Sequence, residues 1–183
     1  MARSGRLVQL ERRLADIRRT MLPRRFSGTG IYSSRTIDHT RGYLLLAHAE
    51  IEAYLEDISR TIMEDAADRW KRTGTATKRT IGAVVEVTVA RAVESHRDRL
   101  TNNHGIKDKN LIRIFEPLGV DVGAIDTVWL AAMTSFGGLR GVVAHTSSIG
   151  ATTLPDPMDA LKLVKDLVTG LRKIDEVAQK LLR

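Results

Sequence analysis

The 183-residue chain contains no cysteine. Disulfides, thiolate nucleophiles and thiolate-ligated zinc or iron–sulfur sites are therefore excluded, and the composition suits a reducing compartment. No stretch is apolar for long enough to span a bilayer. The arginine-rich first residues are followed by no continuous apolar run, so they do not read as a secretory signal. Glu11 and Asp16 argue against an organelle transit peptide. The expectation is a soluble cytoplasmic protein that makes no membrane contact. There is no internal repeat and no low-complexity stretch. No His-Glu-x-x-His, EF-hand or zinc-ligand spacing occurs, and His39, His96 and His104 lie in or near polar contexts without metal-ligand spacing. Neither a metal nor a cofactor is expected. The segment Gly74-Thr75-Ala76-Thr77-Lys78-Arg79-Thr80 is superficially like a phosphate loop, but it lacks the glycine before lysine and no strand precedes it.

What is present points to a globular chain. The apolar fraction is 43%, and the length suits one domain with a sizeable core. The net charge of +7 is unevenly spread: residues 1–41 hold 10 Lys/Arg against 3 Asp/Glu, whereas the other 142 residues hold 19 of each sign. Such a local excess attracts phosphate-rich partners through counterion release. A solvated helix face would carry the same charges, and both readings stand.

Leu7, Leu10, Leu14, Ile17 and Met21 alternate steps of three and four, which predicts an amphipathic helix ended by Pro23. Arg6, Arg12, Arg13, Arg18 and Arg19 surround its other faces, and residues 22–35 read as a loop. The stripe Leu44, Ala47, Ile51, Leu55, Ile58, Ile62 predicts a long helix from about Thr36 to about Lys71, followed by a break over Thr73–Thr77. Val85, Val87 and Val89 alternate with Glu86 and Thr88 like a strand. Ile81, Val85, Ala92, His96 and Leu100 also fit a helix, and the segment is long for a strand, so a helix is predicted. Asn102-Asn103-His104-Gly105 is a turn, and a short helix covers 108–116, closed by Pro117 and Gly119. A stripe of Ile125, Val128, Trp129, Ala132, Met133 and Phe136 follows, interrupted by Gly137-Gly138. Pro155-Asp156-Pro157 opens a last helix, with Leu161, Val164, Val168, Leu171, Ile174, Ala178 and Leu181 on its buried face. The fold class expected is all-α, a bundle of about five to six helices. Residues 1–35 form a basic N-terminal helix and loop packed on or flanking a helical domain at 36–183.

The chemistry concentrates in Phe136-Gly137-Gly138-Leu139-Arg140-Gly141-Val142-Val143-Ala144-His145-Thr146-Ser147-Ser148. An arginine and a histidine stand there inside an otherwise apolar, glycine-rich segment. Arginine stays charged and offers planar donors to phosphate oxygens. Histidine exchanges a proton near neutral pH. Together they suit phosphodiester cleavage without a metal, one moving protons and the other stabilising charge. Five residues on an ideal helix separate side chains by roughly 140°. Arg140 and His145 therefore converge only through a bend at the glycines or through a second chain. The competing reading is a glycine-rich helix crossing with a capped or buried histidine.

This segment resembles the Arg-x4-His signature of the HEPN superfamily, in particular its RiboL-PSP-HEPN-like branch. Leu44-Leu45-Leu46-Ala47-His48-Ala49-Glu50-Ile51-Glu52-Ala53-Tyr54-Leu55-Glu56 is similar to that branch's early helix. Asn110-Leu111-Ile112-Arg113-Ile114-Phe115-Glu116-Pro117-Leu118-Gly119-Val120 is similar to the segment before its motif helix. The pieces keep their order from about 36 to about 182. The resemblance implies a HEPN-like helical bundle and a homodimer whose two motifs face each other in one composite site. It also implies a metal-independent endoribonuclease, often of toxin–antitoxin, antiphage defence or RNA-processing systems. Arg140 and His145 match the catalytic positions: a ribose 2′-OH attacks the adjacent phosphate, His145 transfers the proton, and Arg140 holds the phosphate. The chain departs from the pattern at Gly141, where many active members carry a polar residue. The alternative is a non-catalytic RNA- or nucleotide-binding module that regulates a partner, and a purely structural bundle is a third.

Supporting candidates are His48, Glu52, Gly141 and Thr146. His48 lies on the apolar stripe, where a core or interface ring is the plainer reading. Glu52, one turn on, either orients a basic group or is a surface carboxylate. Thr146 and Ser147 offer hydroxyls that equally cap or turn the chain. Arg12, Arg13, Arg18, Arg19, Arg24 and Arg25 are the candidate nucleic-acid contacts. The partners expected are RNA, a second copy of the chain and an antitoxin or partner protein.

Overall fold

Ser4 opens the first helix by accepting from the Leu7 amide at 3.1 Å, which satisfies one of the amides a helix start leaves unpaired. In this computed structural model, residues 3–72, 75–145 and 155–182 are described, with the backbone alone at 75–84 and 141–145. Six α-helices and no strand occur among the described residues: α1 (Gly5–Met21), α2 (Ser34–Arg72), α3 (Thr75–Thr101), α4 (Asp108–Phe115), α5 (Thr127–His145) and α6 (Pro157–Leu181). The chain is all-α. A 3₁₀ turn at Glu116–Leu118 follows α4 and ends on Gly119, whose φ of 80° is the left-handed conformation glycine tolerates.

The 39-residue α2 is the central post and touches every other helix. Its buried residues run at helical spacing from Ile37 to Met63, and none follows Met63. On α1, Leu7, Leu10, Leu14 and Ile17 are buried in the same core as the rest of the bundle. Burying a Leu or Ile side chain is worth about 1.5–3 kcal/mol, so this stripe alone anchors α1.

The valines at 85–89 show how helical spacing displaces the strand-like alternation. Val85 and Val89 are half-buried while Val87 between them is 48% exposed, as expected of neighbours on opposite helix faces. Ala92, assigned to the buried stripe by spacing, is exposed, and the packed side of α3 continues through Val93 to His96 and Leu100. On α5, Trp129, Met133 and Phe136 are buried, but Val128 is 78% exposed. The glycine pair does not interrupt α5, which runs on unbroken to His145. Gly137 serves close approach instead: a Cβ there would stand 2.9 Å from Cγ of Lys107 in the loop before α4. On α6, Leu167 rather than Val168 is fully buried, which shifts the core face by one position. Gly170 makes room for Trp129, since a Cβ on it would meet the indole at 2.0 Å, and the Trp129 Nε1–H donates to the Leu167 carbonyl at 2.9 Å.

Two polar knots hold the helices in register. Asp175 of α6 is 2% exposed and accepts from the Ser4 amide (2.9 Å), the Ser4 hydroxyl, the Tyr54 hydroxyl (3.0 Å) and Gln179 (2.8 Å). One carboxylate thus ties α1, α2 and α6. Burial, then the charge of Asp175, pushes the Tyr54 hydroxyl well above its usual range, so it remains a donor. Asn103, 6% exposed, donates to Glu56 of α2 at 2.8 Å and accepts from Asn110 at 3.0 Å, which pins the α3–α4 loop to α2. No described helix is long and apolar enough to cross a membrane.

Candidate functional site

The site begins with one helical step on α2. His48 and Glu52 are four residues apart, so they share a face. That face meets α5 where Phe136 and Arg140, also four apart, project toward it. The His48 ring lies against Phe136 with centroids 5.7 Å apart and planes tilted by 42°. Arg140 Nη1 stands 3.4 Å from Glu52 Oε2, and His48 Nδ1 stands 3.7 Å from the same oxygen.

Exposure grades sharply across the three groups. His48 is 1% exposed, the Glu52 side chain 16%, and the Arg140 side chain 45%. The carboxylate is therefore a shielded hinge between a buried ring and an open guanidinium. Neither His48 nitrogen has a hydrogen-bond partner among the described residues, nor has the buried Glu52 Oε1. Burial first, then the nearby Arg140 charge, lowers His48 to about 4. The ring is neutral near pH 7 and so disfavours proton exchange there. Burial raises the Glu52 carboxyl, with Arg140 opposing that shift and Glu56 adding to it. An ion pair this near the surface adds little stability. Its chemical consequence is orientation: one guanidinium edge faces Glu52 while the side chain stays half open to solvent.

Of the other predicted residues, Gly141 and His145 lie in the backbone of α5, with side chains outside the described residues. Thr146 and Ser147 lie outside the described residues altogether. Arg140 and His145 occupy one unbroken helix. The basic face of α1 is largely engaged within the fold. Arg13 pairs with Glu50 at 2.9 Å, Arg6 with Asp57 at 2.8 Å, and Arg19 with Asp16. Arg18 is half-buried beside Tyr43, whereas Arg12, Arg24 and Arg25 are exposed. The arginines therefore do not form one common surface with Arg140 by any contact in the described structure.

Sequence reasoning missed Asp175 and Asn103. Both sit among charged or polar neighbours, and only spatial neighbours reveal that they are buried. The described residues contain no cluster of three or more His, Asp or Glu side chains able to hold a metal. Compared with models of protein families, with curated proteins and with solved structures, the chain matches none.

Proposed function

We propose that the protein is a metal-independent endoribonuclease that cleaves RNA by attack of a ribose 2′-OH on the adjacent phosphate. The observation that carries the reading is the exposed Arg140 guanidinium held at 3.4 Å by the shielded Glu52. The side chain is 45% exposed, so its outer edge can meet a phosphate oxygen, an acceptor that a guanidinium suits. His145 follows five residues later on the same helix and is the residue proposed to transfer the proton. His48, held neutral, packs the site and leaves the proton transfer to His145. The resemblance of the segment around Arg140 and His145 to the HEPN signature supports the same assignment. Because five residues turn an unbroken helix by roughly 140°, one copy's pair diverges. A second copy completing the site is part of the proposal, as is a toxin–antitoxin or antiphage setting in the cytoplasm.

The test is cleavage of RNA in excess EDTA, with DNA as the control that lacks the attacking hydroxyl. His145→Ala is expected to lower turnover about 10²- to 10⁴-fold, the usual worth of a general acid or base. Unchanged turnover in both His145→Ala and Arg140→Ala would overturn the assignment. A second reading, RNA binding without cleavage, draws on the exposed Arg12, Arg24 and Arg25. It predicts salt-sensitive RNA affinity with no cleavage product.

A further inference from the structure

A cavity of about 360 Å³ opens between α1, α2 and α6 and shares no residue with the Arg140 cluster. Its floor is apolar, with Leu14, Leu161 and Val164 all buried. Arg18, Lys165 and Arg172 line it, against one acid, Glu11. That acid is already engaged, by Arg172 at 3.2 Å and by Arg3. The lining therefore carries an excess of positive charge above an apolar base.

One donor in this cavity is left without an acceptor among the described residues. Nε of Arg18 is buried with no hydrogen-bond partner among the described residues. Tyr43 is 1% exposed, and burial, opposed by the Arg18 charge, pushes its hydroxyl up to about 12, so it stays protonated and able to donate. Native interiors leave few buried donors unmet, and each such group calls for an explanation. Here the unmet Arg18 Nε and the Tyr43 hydroxyl line one cavity, where both can donate to a ligand. An anion meets that need, because a charged acceptor makes the shorter and stronger bonds.

We infer that this cavity binds a small amphipathic anion. Its carboxylate or phosphate head accepts from Arg18 Nε and the Tyr43 hydroxyl, and Lys165 supplies further positive charge. Its apolar body lies on Leu14, Leu161 and Val164. The volume falls within the roughly 300–1,000 Å³ of ordinary ligand pockets. Glu11 stays neutralised by Arg3 and Arg172 and so does not repel the head. The inference is independent of RNA chemistry.

The probes are octanoate and octyl phosphate, titrated below micelle formation into the full chain by calorimetry, with 1-octanol as the uncharged match. Saturable binding of either anion is expected, and the stronger of the two identifies the head group preferred. Octanol is expected to bind at least about tenfold more weakly, because the charge-assisted bonds are lost. Arg18→Met is expected to weaken the anion about tenfold or more. Lys165→Glu alters an exposed side chain, keeps the fold intact and is expected to weaken binding several-fold, so it decides the matter even where Arg18→Met does not fold. Absence of saturable binding by both anions, or equal affinity for octanol, overturns the inference. So does wild-type affinity in the Lys165→Glu protein.

Discussion

Two histidines are buried in this bundle, His48 on α2 and His96 on α3, and their surroundings differ. His96 of α3 is anchored. The Ser59 hydroxyl donates to the Ile114 carbonyl at 2.8 Å, so the His96 Nε2–H donates to Ser59 Oγ at 2.9 Å. Only its Nδ1 lacks a partner among the described residues. His48 of α2 is as deeply buried, yet both its nitrogens lack partners there. Its Nδ1 stands 3.7 Å from Glu52 Oε2, beyond hydrogen-bond reach, and that carboxylate also faces Arg140 at 3.4 Å. In the first region all the polar atoms but His96 Nδ1 are paired, and the pairs close three chain segments together. In the second they stop short, and the outermost group opens to solvent. A region whose polar atoms are paired is built for stability. One whose charged groups are oriented but incompletely paired among the described residues is where the proposed function sets its site.

The sharpest way to break this contrast is Glu52→Ala. Releasing Arg140 is expected to lower RNA turnover about 10- to 100-fold, since small misplacements of a positioned group cost rate on that scale. Thermal stability should change little, because the pair is near the surface. Parallel kinetics and melting curves check both parts, and a large loss of stability with full activity would reverse the roles of the two regions.

Ser59→Ala should do the opposite. It strands the His96 Nε2–H and the Ile114 carbonyl in the core, at a cost of about 2 kcal/mol. Denaturant unfolding measures the loss, and turnover per folded molecule should stay at the wild-type level.

The smallest effect belongs to His48→Leu. Native His48 takes up a proton only near pH 4, whereas the unfolded ring does so near 6.5. Its contribution to stability is thus fully present above pH 6.5 and is lost as the pH falls from there toward 4. Burial also lowers His96, so the wild type has two groups acting in the same direction. His48→Leu should keep stability at pH 7 within about 1 kcal/mol, since it trades unsatisfied polar atoms for a packed side chain. It should also flatten the acid side of the stability profile, leaving the His96 share. Melting temperatures at pH 7, 6 and 5 read this out, and an unaltered slope would show that His48 does not carry it.

Much of the helix pattern was legible from spacing. The Leu7–Ile17 stripe, the α2 stripe and the Pro155-Asp156-Pro157 start all appear in the structure, because three-and-four spacing and N-cap chemistry act within a few residues. Asp156 accepts from the Met158 and Asp159 amides at 2.7 and 3.2 Å, as a capping carboxylate should. Errors arose where a single period fits two adjacent faces. Leu167 displaced Val168, and Val128 turned outward, because the partner helices, not the stripe, choose the inner face. The glycines of α5 were legible as a departure but not as a geometry. Gly137 answers to Lys107, thirty residues earlier in the chain.

By itself, then, the sequence determined an all-helical chain and most of its helix boundaries, and it singled out the candidate pair Arg140 and His145, since these depend on short-range periodicity and residue chemistry. The tertiary structure alone decided that Glu52 rather than a distant surface group meets Arg140 and that Asp175 is a buried tie. It also decided that Arg6 and Arg13 of α1 are spent on Asp57 and Glu50 of α2. The reason is physical. Pairings across 37 to 171 residues depend on how helices cross, and crossing is set by the packing of whole faces rather than by any one residue.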